Sequence, residues 1–324
     1  MSGFSRTTTV RLTADTTYQR ELFWSLVPKG VSTQRAAVTL VAILGAAAAG
    51  AGGVWLSAQQ LPSEPRRQFG AGITGAFEGW FENPDGSRSF LVGYLNRNTT
   101  QVLDVPIGPN NRIEPGGPDM GQPTHFLPGR RYGMFVVPVP KDFAADQRLT
   151  WTIVVNGQTT SIPLRLHPDY VVSPFKEIAA GNTPPVLQFA QNGPSLQGPL
   201  ASMVSAATRT AVVGTALRLP LWASDDEKYT SGTNAPPRNP PPPVRLTWSK
   251  FRGPGEVTFD KSNPPVEKLP GSAAAFNGTA TTAATFSEPG DYALHVTAND
   301  SSGDGGGGFQ CCWTTALVKV AVTR

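Results

Sequence analysis

Short runs of alternating apolar and polar residues fill most of the chain, and each run closes in a cluster of Gly, Pro, Asn or Asp. A period of two sends one side of an extended segment to a core and the other to solvent, so these runs predict β-strands. Ala76-Phe77-Glu78-Gly79-Trp80-Phe81 is followed by the turn Asn83-Pro84-Asp85-Gly86 and by Ser89-Phe90-Leu91-Val92-Gly93-Tyr94-Leu95, which predicts a hairpin. Further strands are predicted at 101–106, 132–139, 149–155 and 159–166, with Asn156-Gly157 as the tight turn between the last two. This density of strands within residues 72–172 predicts a β-sandwich. The stretch Ile107–Arg131 interrupts the pattern with so much Pro and Gly that it reads as a long loop, either functional or ordered by its own packing.

A linker at 173–185 leads to residues 186–324, where the alternation resumes. Leu217–Ser224 and Ala316–Val322 read as strands, and Tyr292, Leu294, Val296 and Ala298 alternate with Ala293, His295, Thr297 and Asn299, the first set facing the core. Residues 234–243 form a proline-rich insertion whose run Pro240–Pro243 imposes polyproline II and excludes a central strand. Two segments, VRLTWSKFRGPGEVTFD at Val244–Asp260 and ATTAATFSEPGDYALHVTANDSS at Ala280–Ser302, carry a family resemblance. Trp248, the turn Gly253-Pro254-Gly255, the corner Phe286 to Pro289-Gly290-Asp291-Tyr292, and Ala298-Asn299-Asp300 resemble the polycystic-kidney-disease-type (PKD-like) immunoglobulin-like domain. The chain departs from that pattern in the proline insertion, in Lys261–Gly278 and in the Gly-rich loop Gly303–Gly308. The resemblance implies an immunoglobulin-like sandwich used in surface proteins, or as an accessory module of secreted enzymes, for adhesion or spacing. The expected fold is thus all-β: two tandem immunoglobulin-like β-sandwich domains after an N-terminal hydrophobic export or anchor helix.

That N-terminal segment is Ala36–Ala58, 23 residues without a charge. About 20 helical residues cross a bilayer core, so the stretch is long enough to span. Residues 1–35 hold five basic residues against Asp15 and Glu21, which keeps this tail, or signal n-region, in the cytoplasm and sends the rest across, with 59–71 as linker. A retained anchor and a cleaved signal both fit. The first places the domains at the cell envelope, membrane-anchored and extracytoplasmic; the second makes them periplasmic or secreted. The net charge of +4 changes little, because the remainder holds 22 basic and 21 acidic residues without a basic run, and nucleic acid is not an expected partner.

Candidate chemistry is sparse. Trp80, Tyr94, Asn96 and Arg97 could form an aromatic and polar face for a sugar ring, or be core residues. The long loop adds Asn110, Asn111, Arg112, Glu114, Asp119 and His125 as polar groups for a ligand. Its alternative is a loop folded over one sandwich end, anchored by Ile113 and Phe126. Asp225, Asp226, Asn299, Asp300 and Asp304 could gather oxygen ligands for calcium, the one cofactor considered, or simply form turns. Cys311 and Cys312 are the only cysteines, and they could form a vicinal disulfide, stay reduced or pair between chains; oxidised beside Trp313, they would make a rigid apolar plate. No catalytic residues are assigned, since His125, His167 and His295 stand in no nucleophile, metal or phosphate motif. The expected role is a non-catalytic binding, adhesion or scaffold protein whose partner is a protein or polysaccharide of the cell envelope. A carbohydrate-binding protein and a hydrolase with an unrecognised site are the alternatives.

Overall fold

The computed structural model describes residues 67–178, 181–199, 204–228, 242–271, 275–300 and 311–324. The expected tail 1–35, the apolar segment 36–58, most of the proline insertion and Asp304 lie outside the described residues. Among the described residues no helix is long and apolar enough to cross a membrane.

The predicted hairpin forms as β1 (Ile73–Glu82) and β2 (Arg88–Asn96), and the first half continues through β3 (Leu103–Asp104), β4 (Asn111–Glu114), β5 (His125–Phe126), β6 (Gly129–Val139), β7 (Arg148–Val155) and β8 (Gln158–Arg165). Sheet β1-β2-β6 faces sheet β4-β7-β8, with β3 and β5 as a two-stranded ribbon. Phe90, Val92, Tyr94, Phe135, Val137, Trp151 and Ile153 fill the space between them. The strand expected at 101–106 shrinks to β3, while the expected loop 107–131 contains β4 and β5. Asn111 explains that order. Its Nδ2 donates to Val105 O (2.9 Å) and Pro123 O (2.8 Å), and its Oδ1 accepts from Trp151 Nε1 (3.0 Å), so one buried side chain ties both ends of the loop to the core.

The second half comprises β9 (Val186–Gln188), β10 (Leu196–Gln197), β11 (Ala207–Val212), β12 (Leu217–Asp225), β13 (Arg245–Arg252), β14 (Val257–Phe259), β15 (Glu267–Lys268), β16 (Phe276–Phe286), β17 (Gly290–Asn299) and β18 (Trp313–Thr323). The order β10-β9-β12-β16-β14 makes one sheet and β11-β18-β17-β13 the other. Strand β11 runs parallel to β18, whereas the named pairs around it are antiparallel. This is the immunoglobulin-like order, with its leading strand divided between the two sheets, and β1-β2-β6 against β4-β7-β8 is its smaller counterpart. Tyr292, Leu294, Val296 and Ala298 are all buried, as their alternation requires. At the start of β17 the Tyr292 hydroxyl donates to Glu288 O (2.8 Å) and accepts from Gly255 N (3.0 Å), pinning the corner between β16 and β17 and the turn after β13.

The two sandwiches meet through outer sheet faces. Phe81, Leu91 and Val136 point away from the first core, and they pack with Val172 and Trp313 from the start of β18. Phe251 and Leu317 bury themselves with the first core's residues. Sheet β1-β2-β6 is therefore apolar on both faces, which is why Phe90-Leu91-Val92 and Phe135-Val136-Val137 are unbroken apolar runs. Gly133, at φ +52°, lies under the Trp313 indole, where a Cβ would approach a ring carbon to 2.7 Å.

Replacing Tyr292 by Phe keeps the ring but leaves the Gly255 N–H buried without its acceptor. The expected cost is about 1–3 kcal/mol, read from the urea midpoint of the full chain with the slope unchanged. An unmoved midpoint would mean that the hydroxyl fastens nothing.

Candidate functional site

The polar residues of the long loop converge on strand β13 of the second sandwich. Arg252 forks onto Asp119, with its two terminal nitrogens 2.9 and 2.8 Å from the two carboxylate oxygens, while its Nε donates to Gln122 O at 2.9 Å. The hydrogen bond from Arg252 is the main reason the Asp119 pKa lies below the usual carboxylate value. Two residues earlier, Lys250 Nζ reaches Asp104 Oδ1 at 3.3 Å, and His125 Nδ1 meets the same oxygen at 2.9 Å. Burial pushes the Asp104 pKa up, but the His125 hydrogen bond and the Lys250 charge outweigh it and leave it lowered. Thr124 N donates to Phe251 O (3.1 Å) between these two pairs. Ile113 and Phe126 are fully buried, as the packed-loop reading requires. Arg112 and Glu114 pair with each other at 2.8 Å.

The sugar face expected around Trp80 does not assemble. Tyr94 lies inside the first sandwich, where its hydroxyl accepts from Leu127 N (2.9 Å) and burial pushes its pKa up to about 12. Asn96 is buried too, donating to Gln101 O (2.9 Å) and Phe126 O (3.0 Å). Trp80 is half-buried, with its Nε1 donating to His167 O at 2.7 Å. Arg97 is exposed, and its Nε donates to Thr74 Oγ1 at 3.0 Å. His125 is buried against Asp104. Tyr94 and Asn96 share the inward side of β2 with Phe90 and Val92, while Leu95 and Arg97 take the exposed side, so the core reading holds for the first two.

At one end of the second sandwich, β12 ends in Asp225-Asp226 and β17 in Asn299-Asp300. Asp225 Oδ1 accepts from Glu227 N at 2.8 Å, and its Oδ2 is buried with no hydrogen-bond partner. Desolvation above all, with the Asp300, Asp226 and Glu227 charges adding, pushes the Asp225 pKa up to about 7. Asp226 accepts from Thr183 Oγ1 at 3.1 Å and faces Lys228 Nζ at 3.4 Å, and Asp300 Oδ2 accepts from Asn182 Nδ2 at 2.5 Å. Asp226 and Asp300 therefore meet protein donors, and Asp225 meets one backbone N–H. Among the described residues no group of three or more His, Cys, Asp or Glu side chains is disposed to hold a metal ion.

Cys311 and Cys312 are joined in a vicinal disulfide. Both are buried, as is Trp313, so the expected apolar plate forms inside the molecule rather than as a contact surface. Cys312 Sγ lies 3.4 Å from Asn182 O, which places the pair behind the acidic corner and in front of the joint that Trp313 enters. Sequence reasoning passed over Asn182, Glu78 and Gln122. Glu78 is the clearest loss, because its carboxylate accepts from Arg130 (2.7 Å) and from Gly133 N (2.8 Å) beneath Trp313. Its position on the polar side of an alternating strand next to Arg-rich β6 was the available signal.

No protein-family model matches the chain, and no curated protein matches it either. Solved structures do align. The D00-D0 domain of intimin is 10% identical and covers 78% of this chain and 100% of its own, at a TM-score of 0.25. A tandem of titin Ig domains is 10% identical, covering 78% and 99% at a TM-score of 0.21. Domains 4 and 5 of the S-layer protein SbsC are 11% identical, covering 78% and 98% at a TM-score of 0.18. TM-scores this low carry no argument, so the immunoglobulin-like assignment stands on strand order and on the Tyr292 corner.

Two predictions come from this region. The folded Asp225 pKa of about 7 exceeds the ordinary 3.8, so between these values the native chain holds a proton that the unfolded chain has released, and this group's contribution to stability falls as pH rises. Asp225→Asn keeps the Glu227 bond and cannot ionise. Its stability relative to the parent should rise from pH 4 and level off above pH 7, by about 4 kcal/mol at most, in urea titrations with EDTA present; a flat difference would show that Asp225 has the same pKa folded and unfolded. Arg252→Met keeps the stem but removes the fork onto Asp119 and Gln122, which should cost about 1–3 kcal/mol and speed proteolytic cleavage within 107–131. Unchanged cleavage would mean that the loop is held by its apolar anchors alone.

Proposed function

We propose that the chain is a non-catalytic binding, adhesion or scaffold protein of the cell envelope, with its sandwiches outside the cytoplasm. The observation that carries this reading is where the titratable side chains go. Asp104, Asp119, His125, Lys250 and Arg252 fasten one sandwich to the other, and His125 lies buried in that seam. His295 stacks on Phe251 with ring centroids 5.7 Å apart, and burial pushes its pKa down to about 4, which keeps it neutral and without a proton to exchange near pH 7. His167 serves as a cap, its Nδ1 accepting from Asp169 N at 3.3 Å. Histidines and carboxylates used in this way stiffen a support and hold no reacting group in place.

The PKD-like landmarks of residues 244–302 favour a surface or accessory module used for adhesion or spacing. The uncharged stretch 36–58 favours an attachment to the membrane, with a protein or polysaccharide of the envelope as partner and no nucleic acid. Carbohydrate binding is a second reading, favoured by an open groove on the second sandwich.

The full chain, tagged at its C-terminus and expressed in a bacterial host, should sediment with envelope membranes, and its pull-down with and without calcium should retain an envelope protein or polysaccharide. Recovery in the soluble cytoplasm, or turnover of glycoside, ester or peptide substrates by the purified chain, would sink the reading.

A further inference from the structure

The outer face of the β10-β9-β12-β16-β14 sheet carries an open groove of about 810 Å³, within the usual size of small-ligand sites. Its floor comes from the outward positions of β12 and β16. Leu219, Leu221 and Ala223 of β12 point into the core, so Arg218, Pro220 and Trp222 point out. Pro220 stands opposite Thr281, and Trp222 opposite Thr279. One wall rises where Lys261 and Glu267 bring the 260–268 segment back onto β16.

Three cations and one carboxylate line this groove. Arg209, on the edge strand β11 of the other sheet, reaches across to the groove, with one terminal nitrogen donating to Thr208 O (2.9 Å) and the other to Phe189 O (3.0 Å) just after β9. No carboxylate stands within ion-pair distance of Arg209 or Arg218 among the described residues. Asp260, next to Lys261, is already occupied by Thr282 Oγ1 and Ala283 N, both at 2.7 Å. The groove thus holds a pair of guanidiniums with no carboxylate in ion-pair distance, an ammonium, the Glu267 carboxylate on its wall, two threonine side chains and an indole, a net excess of positive charge.

We propose that this groove binds a short anionic oligosaccharide, its carboxylate or other acidic substituent on Arg218 and Arg209 and one ring against Trp222. The apolar C–H face of a pyranose suits the electron-rich face of an indole. Guanidiniums fork onto planar anions; the Thr281 hydroxyl can donate to or accept from a ring hydroxyl, and Thr279 Oγ1, which donates to Leu221 O at 3.1 Å, can accept from one. A nucleic acid fits less well, since phosphate tracking draws on about 6–10 cationic contacts and this groove offers three. The site deepens the binding role proposed above by naming a ligand class, and it rests on that role.

The test is calorimetric titration of the full chain with trigalacturonic acid, maltotriose and a hexathymidylate. Binding of trigalacturonic acid, weakened as salt rises from about 0.05 to 0.5 M, is expected, with maltotriose and hexathymidylate at least tenfold weaker. Arg218→Glu and Trp222→Ala should each weaken binding of trigalacturonic acid tenfold or more with the thermal unfolding midpoint preserved; Arg218 is exposed, so its replacement leaves the core untouched. No binding, equal binding of the neutral sugar or the oligonucleotide, or undiminished binding by a folded Arg218→Glu chain would overturn the site. If the sugar fails while the pull-down still retains an envelope protein, the groove falls and the binding role stands. If both fail, both fall.

Discussion

The architecture of residues 67–324 depends on covering a second apolar face. A sheet with one apolar face is complete once its own sandwich closes, but β1-β2-β6 carries Phe81, Leu91 and Val136 on the side away from its core. Exposed, those side chains would form a contiguous apolar patch of the kind that promotes association. Trp313 covers them, and it can do so because Gly133 has no Cβ where the indole lies and because Glu78, satisfied by Arg130 and Gly133 N, shields the polar margin. Full burial of each large apolar side chain contributes about 1.5–3 kcal/mol, so this contact is comparable with the stability of a small domain.

The polar seam follows from that apolar contact. Once β18 and β13 lie against the first sandwich, Lys250 and Arg252 are carried to its surface, where they need anions, and β3 supplies Asp104 and the loop Asp119. Asp104, Asp119 and Arg252 keep a quarter to a half of their side-chain area exposed, so the Arg252–Asp119 pair contributes little by charge alone, whereas the buried Lys250 needs its carboxylate. Here both pairs share a backbone framework with Thr124 N–Phe251 O and Arg252–Gln122 O, which fixes their geometry before the charges meet. The loop is long because it must reach across, and ordered because Asn111 and Phe126 hold its two ends.

Much of this was legible in the sequence, and the failures have one physical origin. Alternation located the hairpin, β7 and β8 with their Asn156-Gly157 turn, and the inward set of β17, because the inner-core side of each strand keeps a period of two. It could not show that His295, on the outward side of β17, lies beneath another layer. A period of two reports that a strand has two sides and cannot report that both are covered; the unbroken runs around Leu91 and Val136 were the signal for that. The vicinal disulfide was one of three readings left open by Cys311-Cys312, and nothing in the sequence placed it against Asn182 O.

The covering also decides where the second sandwich can meet other molecules. Its β11-β18-β17-β13 sheet has Ala293, His295 and Leu317 turned outward, and these are screened by the first sandwich and its loop. The opposite sheet turns Arg218, Pro220, Trp222, Thr279 and Thr281 outward, and all of them keep some exposure. A tryptophan and a proline at outward strand positions lie outside the inner core, and Arg218, with no carboxylate in ion-pair distance among the described residues, lies outside the ion-pair seam. Stability therefore gives no account of that face, whereas recognition does: aromatic and cationic side chains kept in solvent, on a sheet fixed in place by the buried joint on the far side, form a surface already organised before a ligand arrives.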